Sequence, residues 1–233
     1  MTRTLRILSG GALNGLVTRL QPAFEKANDC RIEGTYGAVG AMKDKLLAGT
    51  PCDLVILSQA LIDELAAQSR AHGQPPGSRP VGVVKTGIAL KDKHVPVAVG
   101  SSEQLRALLQ SAPAIFYPDP AKATAGIHFH KVLQSLGLAD DAARLKTYPN
   151  GAMAMAALAQ SPEADAVGCT QVTEILITPG VRLTGLLPPP HELATTYTAA
   201  VASSAQEPEL ARALIAALTA AEAAETRKKC GFD

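Results

Sequence analysis

Four short segments carry residue types able to hold a charged group without using side chains: Ser9-Gly10-Gly11-Ala12, Gly37-Ala38-Val39-Gly40, Thr124-Ala125-Gly126 and Asn150-Gly151-Ala152. Each lies between an apolar run of strand length and a segment with helical periodicity, so each is expected to leave backbone N–H groups bare at a helix start. Such groups carry the positive end of the helix dipole and bind an anion without a full opposing charge. The alternative reading of each turn alone is that small residues merely permit tight geometry. Four together favour an anion trap, because ligands of open α/β sheets bind beyond the carboxyl ends of the strands.

Other chemistries lack their residues. Ser9-Gly-Gly-Ala-Leu-Asn-Gly15 does not have the spacing of a dinucleotide loop, no phosphate-binding G-x-x-x-x-G-K-[ST] occurs, and the nucleophile elbow G-x-S-x-G is absent. His128 and His130 stand two apart on an expected helix, roughly 200° around its axis, so one metal ion cannot readily use both. His128 falls near the buried edge, as a site residue or a hydrogen-bonded packing residue, whereas His130 is expected to face water. No metal and no cofactor are expected. The 22 Lys and Arg nearly balance the 21 Asp and Glu, and the few aromatics are four Phe and four Tyr with no Trp, so nucleic acid is not an expected partner. Cys30, Cys52, Cys169 and Cys230 have no C-x-x-C or zinc spacing and are expected to be buried, inert thiols.

The elements that must position these turns alternate almost from end to end. Leu5–Leu8, Arg31–Thr35 and Asp53–Leu57 have the character of strands, each followed by a helical pattern; in the first of these helices Pro22 marks an expected kink or break. Arg70–Pro80 has loop composition. Strands are expected at Val81–Leu90, Ala114–Tyr117, Arg144–Tyr148, Asp165–Cys169, Val181–Leu187 and Thr195–Ala202, with Phe129, Val132, Leu133 and Leu136 marking one helical face. This is an α/β pattern with mostly parallel sheets. The economical arrangement is two lobes, 1–84 plus 197–233 and an inserted 85–196, with crossings near 82–90 and 185–197 and a ligand cleft between the lobes. No stretch approaches the roughly 20 apolar residues of a membrane helix, so no membrane insertion is expected. No secretory leader precedes Leu5, so a cytoplasmic location is expected, or a periplasmic one if a leader has been removed.

The ordered set Ser9-Gly-Gly-Ala-Leu13, Tyr36-Gly-Ala-Val-Gly-Ala-Met42, Gly49-Thr-Pro-Cys-Asp53, Asp119-Pro120 with Ala125-Gly126, Asp165-Ala-Val-Gly168 and Lys228-Lys-Cys-Gly-Phe232 resembles the molybdate-binding group of ABC importer solute-binding proteins. The resemblance covers essentially the whole chain. It implies the two-lobed, hinge-closing type 2 periplasmic binding protein fold, a small anionic ligand, and an ABC permease as partner for any exported form. In molybdate binders the first two loops usually present serine hydroxyls; here Ala12 and Val39 stand at the matching positions. Two lost hydrogen bonds to a charged group would cost about 1.5 to 3 kcal/mol each, which turns the expectation away from molybdate.

The same superfamily branch includes aconitate isomerase, which this chain is similar to in its first loop, in Lys85-Thr-Gly-Ile-Ala-Leu90 and in Gln171-Val-Thr-Glu-Ile175. That resemblance implies an intracellular isomerase moving a proton across a small unsaturated polycarboxylate, the alternative being a non-catalytic binding protein or sensor. A 1,3-proton shift needs a base, donors for the developing enolate and a return path for the proton. Lys122, His128 and Lys85 are the candidates for the mobile proton, and Ser9, Ser58, Thr124 and Gln171 for orienting carboxylates. Amides of Gly10, Gly11, Ala12, Ala38, Val39, Gly40, Ala125, Gly126 and Gly151 would supply the remaining donors. A charged Gly126→Asp is expected to abolish binding while leaving the fold largely intact.

Overall fold

A computed structural model describes residues 3–233, which divide into two compact units: the chain up to Val83 together with Thr195–Asp233, and Val84–Ala194. In the first unit, β1 (Arg3–Gly10) leads through a 3-10 turn at Gly11–Leu13 into α1 (Asn14–Asn28). β2 (Cys30–Gly37), α2 (Val39–Leu47), β3 (Leu54–Ser58) and α3 (Gln59–Ala67) follow, and β4 (Ser78–Lys91) then starts toward the second unit. β1 pairs in parallel with β2 and β3. β3 is so apolar because it is covered on both faces: Leu54, Val55, Ile56 and Leu57 are all fully buried.

α1 does not break at Pro22. The turn beyond the proline is held from outside the helix by β2: Glu25 accepts a hydrogen bond from the Ile32 amide at 2.7 Å, beside one from the Gln21 side chain of α1 itself, and Phe24 is buried. Tertiary partners thus offset the backbone bond that proline removes.

The second unit holds the rest of β4, then α4 (Ser102–Ser111), β5 (Ile115–Pro118), α5 (Thr124–Ser135), β6 (Leu145–Tyr148), α6 (Gly151–Gln160), β7 (Val167–Gln171), α7 (Val172–Ile177) and β8 (Val181–Leu186). β5 is parallel to β6 and β7, whereas β4 runs antiparallel to β7 and β8. Strand alternation sorts the side chains into two cores. Ile88, Leu90, Ile115, Tyr117, Val167 and Cys169 point into one core with Phe129 and Leu133 of α5. Ala89 and Phe116, one residue out of step, join Ala154, Met155 and Leu158 of α6 in the other.

The chain returns to the first unit as β9 (Ala194–Val201), antiparallel to β3, and ends with α8 (Pro208–Thr219) and α9 (Ala224–Lys229). Sheets that were expected to be mostly parallel are therefore mixed, because β4, β8 and β9 run against their neighbours. No helix among the described residues is long and apolar enough to cross a membrane.

All four cysteines are free and buried. Burial pushes the Cys52 thiol up to about 12 and the Cys169 thiol well above its ordinary value, which suppresses the nucleophilic thiolate. The native protein is expected to react only slowly with a thiol-specific disulfide reagent at pH 8, and the denatured chain to release four equivalents at once. A fast equivalent from native protein would show that one of these sites opens.

Candidate functional site

In the first unit, the parallel strands β1, β2 and β3 end side by side. Ser9 is aligned with Tyr36 and Ile56, and Gly10 with Gly37. Three helical segments therefore start along one carboxyl edge, behind Gly10, Ala38 and Ser58. At none of the three does the side chain of the capping position hydrogen-bond to the helix start. Ser58 has the extended backbone of a capping residue, with φ −62° and ψ 149°, and its side chain is only half buried. Gly10, Gly11, Ala12, Ala38 and Val39 are buried, and Gly40 is half buried. At the positions expected to lack hydroxyls, Ala12 lies in the 3-10 turn and Val39 packs a methyl group close against Gly10. Ser9 is fully buried and its hydroxyl donates to the Gly10 carbonyl at 3.0 Å, so as placed it orients its own turn.

The second unit treats its helix starts differently. α4 is capped by Ser101, whose hydroxyl accepts from the Gln104 amide. α6 is capped by Asn150, whose side chain accepts from the Met153 amide at 2.9 Å. The amides of Gly151 and Ala152, expected to be bare, donate to the buried carboxylate of Glu174, which also accepts from the Gln171 amide and, at 2.6 Å, from the Thr170 hydroxyl. Burial pushes the Glu174 carboxyl up, against the lowering effect of these donors. The residue was missed because two of its partner amides, those of Gly151 and Ala152, are remote in the chain. Its one local signal was Gln171-Val-Thr-Glu174, the spacing of a helix start whose fourth residue reaches back to the capping amide.

α5 begins behind Ala123 with no side-chain cap; Thr124 is half buried, and Ala125 and Gly126 are buried. Just before it, Asp119 accepts from the amides of Ala121 and Lys122. The expectation that Gly126→Asp would preserve the fold does not hold. A β-carbon there would lie 2.2 Å from the Pro118 carbonyl oxygen and 2.4 Å from that of Asp119.

The proton-transfer candidates stand on different elements. Lys122 is exposed in the loop before α5. Lys85 is exposed on β4, beside a cavity of about 770 Å³ whose lining includes Val99, Leu186 and Leu193 but none of the turn residues. His128 is half buried with Nε2 2.8 Å from the His191 carbonyl oxygen. That oxygen only accepts, so Nε2 carries the hydrogen and Nδ1 is the nitrogen able to act as a base. His130 does not simply face water: its ring stacks on Tyr117, with Nδ1 3.1 Å from the phenol oxygen.

Known proteins share both sequence and architecture with this chain. Aconitate isomerase from Pseudomonas sp. is 26% identical, the match covering 98% of this chain and 87% of that one. The periplasmic molybdate-binding protein of Azotobacter vinelandii superposes with a TM-score of 0.81 at 18% identity, over 98% of each chain. The sulfate-binding protein SubI of Mycobacterium tuberculosis H37Rv gives 0.77 at 15% identity, over 99% of this chain and 86% of that one. At these identities the two structures establish a shared fold, the two-lobed architecture of periplasmic binding proteins. The bacterial extracellular solute-binding protein family matches from residue 5 to residue 233, and the chain belongs to that family.

Proposed function

We propose that this protein binds a small carboxylate anion through the adjoining, uncapped helix starts of its first unit. The observation that carries this reading is that the helix starts behind Gly10, Ala38 and Ser58 lie along one sheet edge, none of them capped by the side chain of its own first residue. Amides at helix starts favour a negatively charged partner, and three starts together suit a ligand with several carboxylate oxygens. Ala125 and Gly126 at the start of α5 are the corresponding candidates in the second unit. Ala12 and Val39 offer no hydroxyl to a tetrahedral oxyanion, which supports a carboxylate over molybdate. Calorimetry with trans-aconitate and with molybdate tests the choice: heat is expected from the first at micromolar concentration and not from the second. The reverse result would overturn it.

Ser58→Asp separates binding from folding. Asp serves a helix start about as well as Ser, so stability should stay within about 0.5 kcal/mol of wild type. Its negative charge would meet the ligand's, and affinity for trans-aconitate should fall at least about tenfold, equivalent to about 1.4 kcal/mol. Unchanged affinity in a folded variant would remove the ligand from this edge.

A second reading, isomerisation of aconitate, is favoured by the likeness to aconitate isomerase along almost the whole chain. In that reaction a base takes the allylic proton, the double bond shifts and a proton returns to the far carbon. The His128 Nδ1 is the candidate with a defined tautomer. Proton NMR of cis- and trans-aconitate in D₂O should show interconversion with deuterium incorporation. Binding without either change would leave the solute-binding role alone, with an ABC permease as the partner to seek.

A further inference from the structure

The α6 start of the second unit is built like an anion site and is filled by the protein itself. Gly151 and Ala152 offer two amides, Gln171 a third and Thr170 a hydroxyl, and all converge on Glu174, which is 5% exposed. The fit depends on Gly151 lacking a side chain. A β-carbon at that residue would lie 2.0 Å from the nearer Glu174 carboxylate oxygen and 2.0 Å from the Thr170 hydroxyl oxygen. Groups from α6 and β7 meet at one carboxylate carried by α7, and every one of them donates. An ionised carboxylate, which only accepts, satisfies that arrangement; a neutral amide would turn an N–H toward some of the donors.

We propose that Glu174 is the specificity-determining residue of the second unit, an internal anion that excludes a ligand's negative group from the position formed by Gly151, Ala152, Thr170 and Gln171. Two residues from the sequence-based set, Gly151 and Gln171, thereby act through Glu174 as positioning residues. The ligand's charge is left to the helix starts that carry no internal carboxylate. This last consequence rests on the carboxylate-binding reading above; the occupancy of the α6 position does not.

Glu174→Ala should open the position to a small carboxylate from solution. Formate is the probe, with chloride at equal ionic strength as the control. At about 100 mM formate the melting midpoint of Glu174→Ala should rise by about 3 °C over the chloride control, and that of wild type should not. Glu174→Gln, which keeps the bulk but not the charge, should show no formate response because the position stays filled. If Glu174→Ala does not fold in chloride, the readout is its refolded yield: recovery in formate alone supports the proposal, and recovery in neither salt overturns it. Equal responses to formate and chloride, or a formate response in wild type, would also overturn it. Failure of trans-aconitate to bind wild type, with the formate rescue intact, would count against the proposed function and not against this assignment.

Discussion

Gly126→Asp is expected to yield no folded protein, and even Gly126→Ala to lose about 3 kcal/mol or more. The reason is the pair of backbone oxygens, from Pro118 and Asp119, at 2.2 and 2.4 Å from any β-carbon. A flexible side chain could rotate away from such a contact, but these carbonyls belong to the end of β5. Pro118 is registered against Tyr148 of β6, and the Asp119 amide donates to the Tyr148 carbonyl at 2.7 Å. Relief would require pulling that strand end off its neighbour or pushing α5 outward, away from the core that Phe129 and Leu133 fill. Asp would add a buried carboxylate to the same crowding. Urea unfolding of Gly126→Ala and the soluble yield of Gly126→Asp measure the two effects. A Gly126→Ala midpoint equal to wild type would show that α5 does not approach β5 as closely as described. Because of this crowding, the charge test of ligand binding belongs at Ser58 and not at Gly126.

The same residue shows where a sequence is legible and where it is not. That α5 exists and which face it buries follow from spacing alone: Phe129, Val132, Leu133 and Leu136 recur at helical intervals, and all four are buried. The apolar run at Leu54–Leu57 likewise announces a strand covered on both sides. That Gly126 is small for the sake of two carbonyls, and not of a ligand, depends on where β5 stops, which no local pattern encodes. Strand direction is equally silent, so β4, β8 and β9 could be placed but not oriented. α7 is six residues long, too short for periodicity, and it follows β7 with no turn residue between them. Gln171 ends the strand and starts the helix, and Glu174 then reaches across to α6. The candidate site divides along the same line. The turns at Gly10 and Ala38 were visible because small residues follow apolar runs or open helical patterns, whereas Ser58 entered only as a side chain to orient a carboxylate and not as a turn. The filling of the α6 turn was not visible, because the amides of Gly151 and Ala152 lie far from their acceptor in sequence.

Asp53→Ala is expected to be the most damaging substitution in the first unit among those that create no clash. Asp53 stands one residue before β3 and is 1% exposed. One carboxylate oxygen accepts from the Arg6 amide of β1 at 2.8 Å. The other accepts from the amides of Gln206 and Glu207, at 2.7 and 3.0 Å, where α8 begins. The backbone of Asp53 is engaged as well, its amide with the Arg6 carbonyl and its carbonyl with the Ala202 amide. A single side chain thus joins the first strand, the third strand and a helix that arrives only after the whole second unit has been traversed. Hydrogen bonds to a charged group contribute about 1.5 to 3 kcal/mol each, and alanine would leave three amides without their acceptor, so a loss of at least about 4.5 kcal/mol is expected. Asp53→Asn should fall between: its remaining oxygen can still serve the α8 amides, but its NH₂ would face the Arg6 amide, donor against donor. Equilibrium denaturation of the two variants tests the order. If alanine costs less than about 1 kcal/mol, or asparagine costs as much as alanine, the carboxylate does not hold these three segments together.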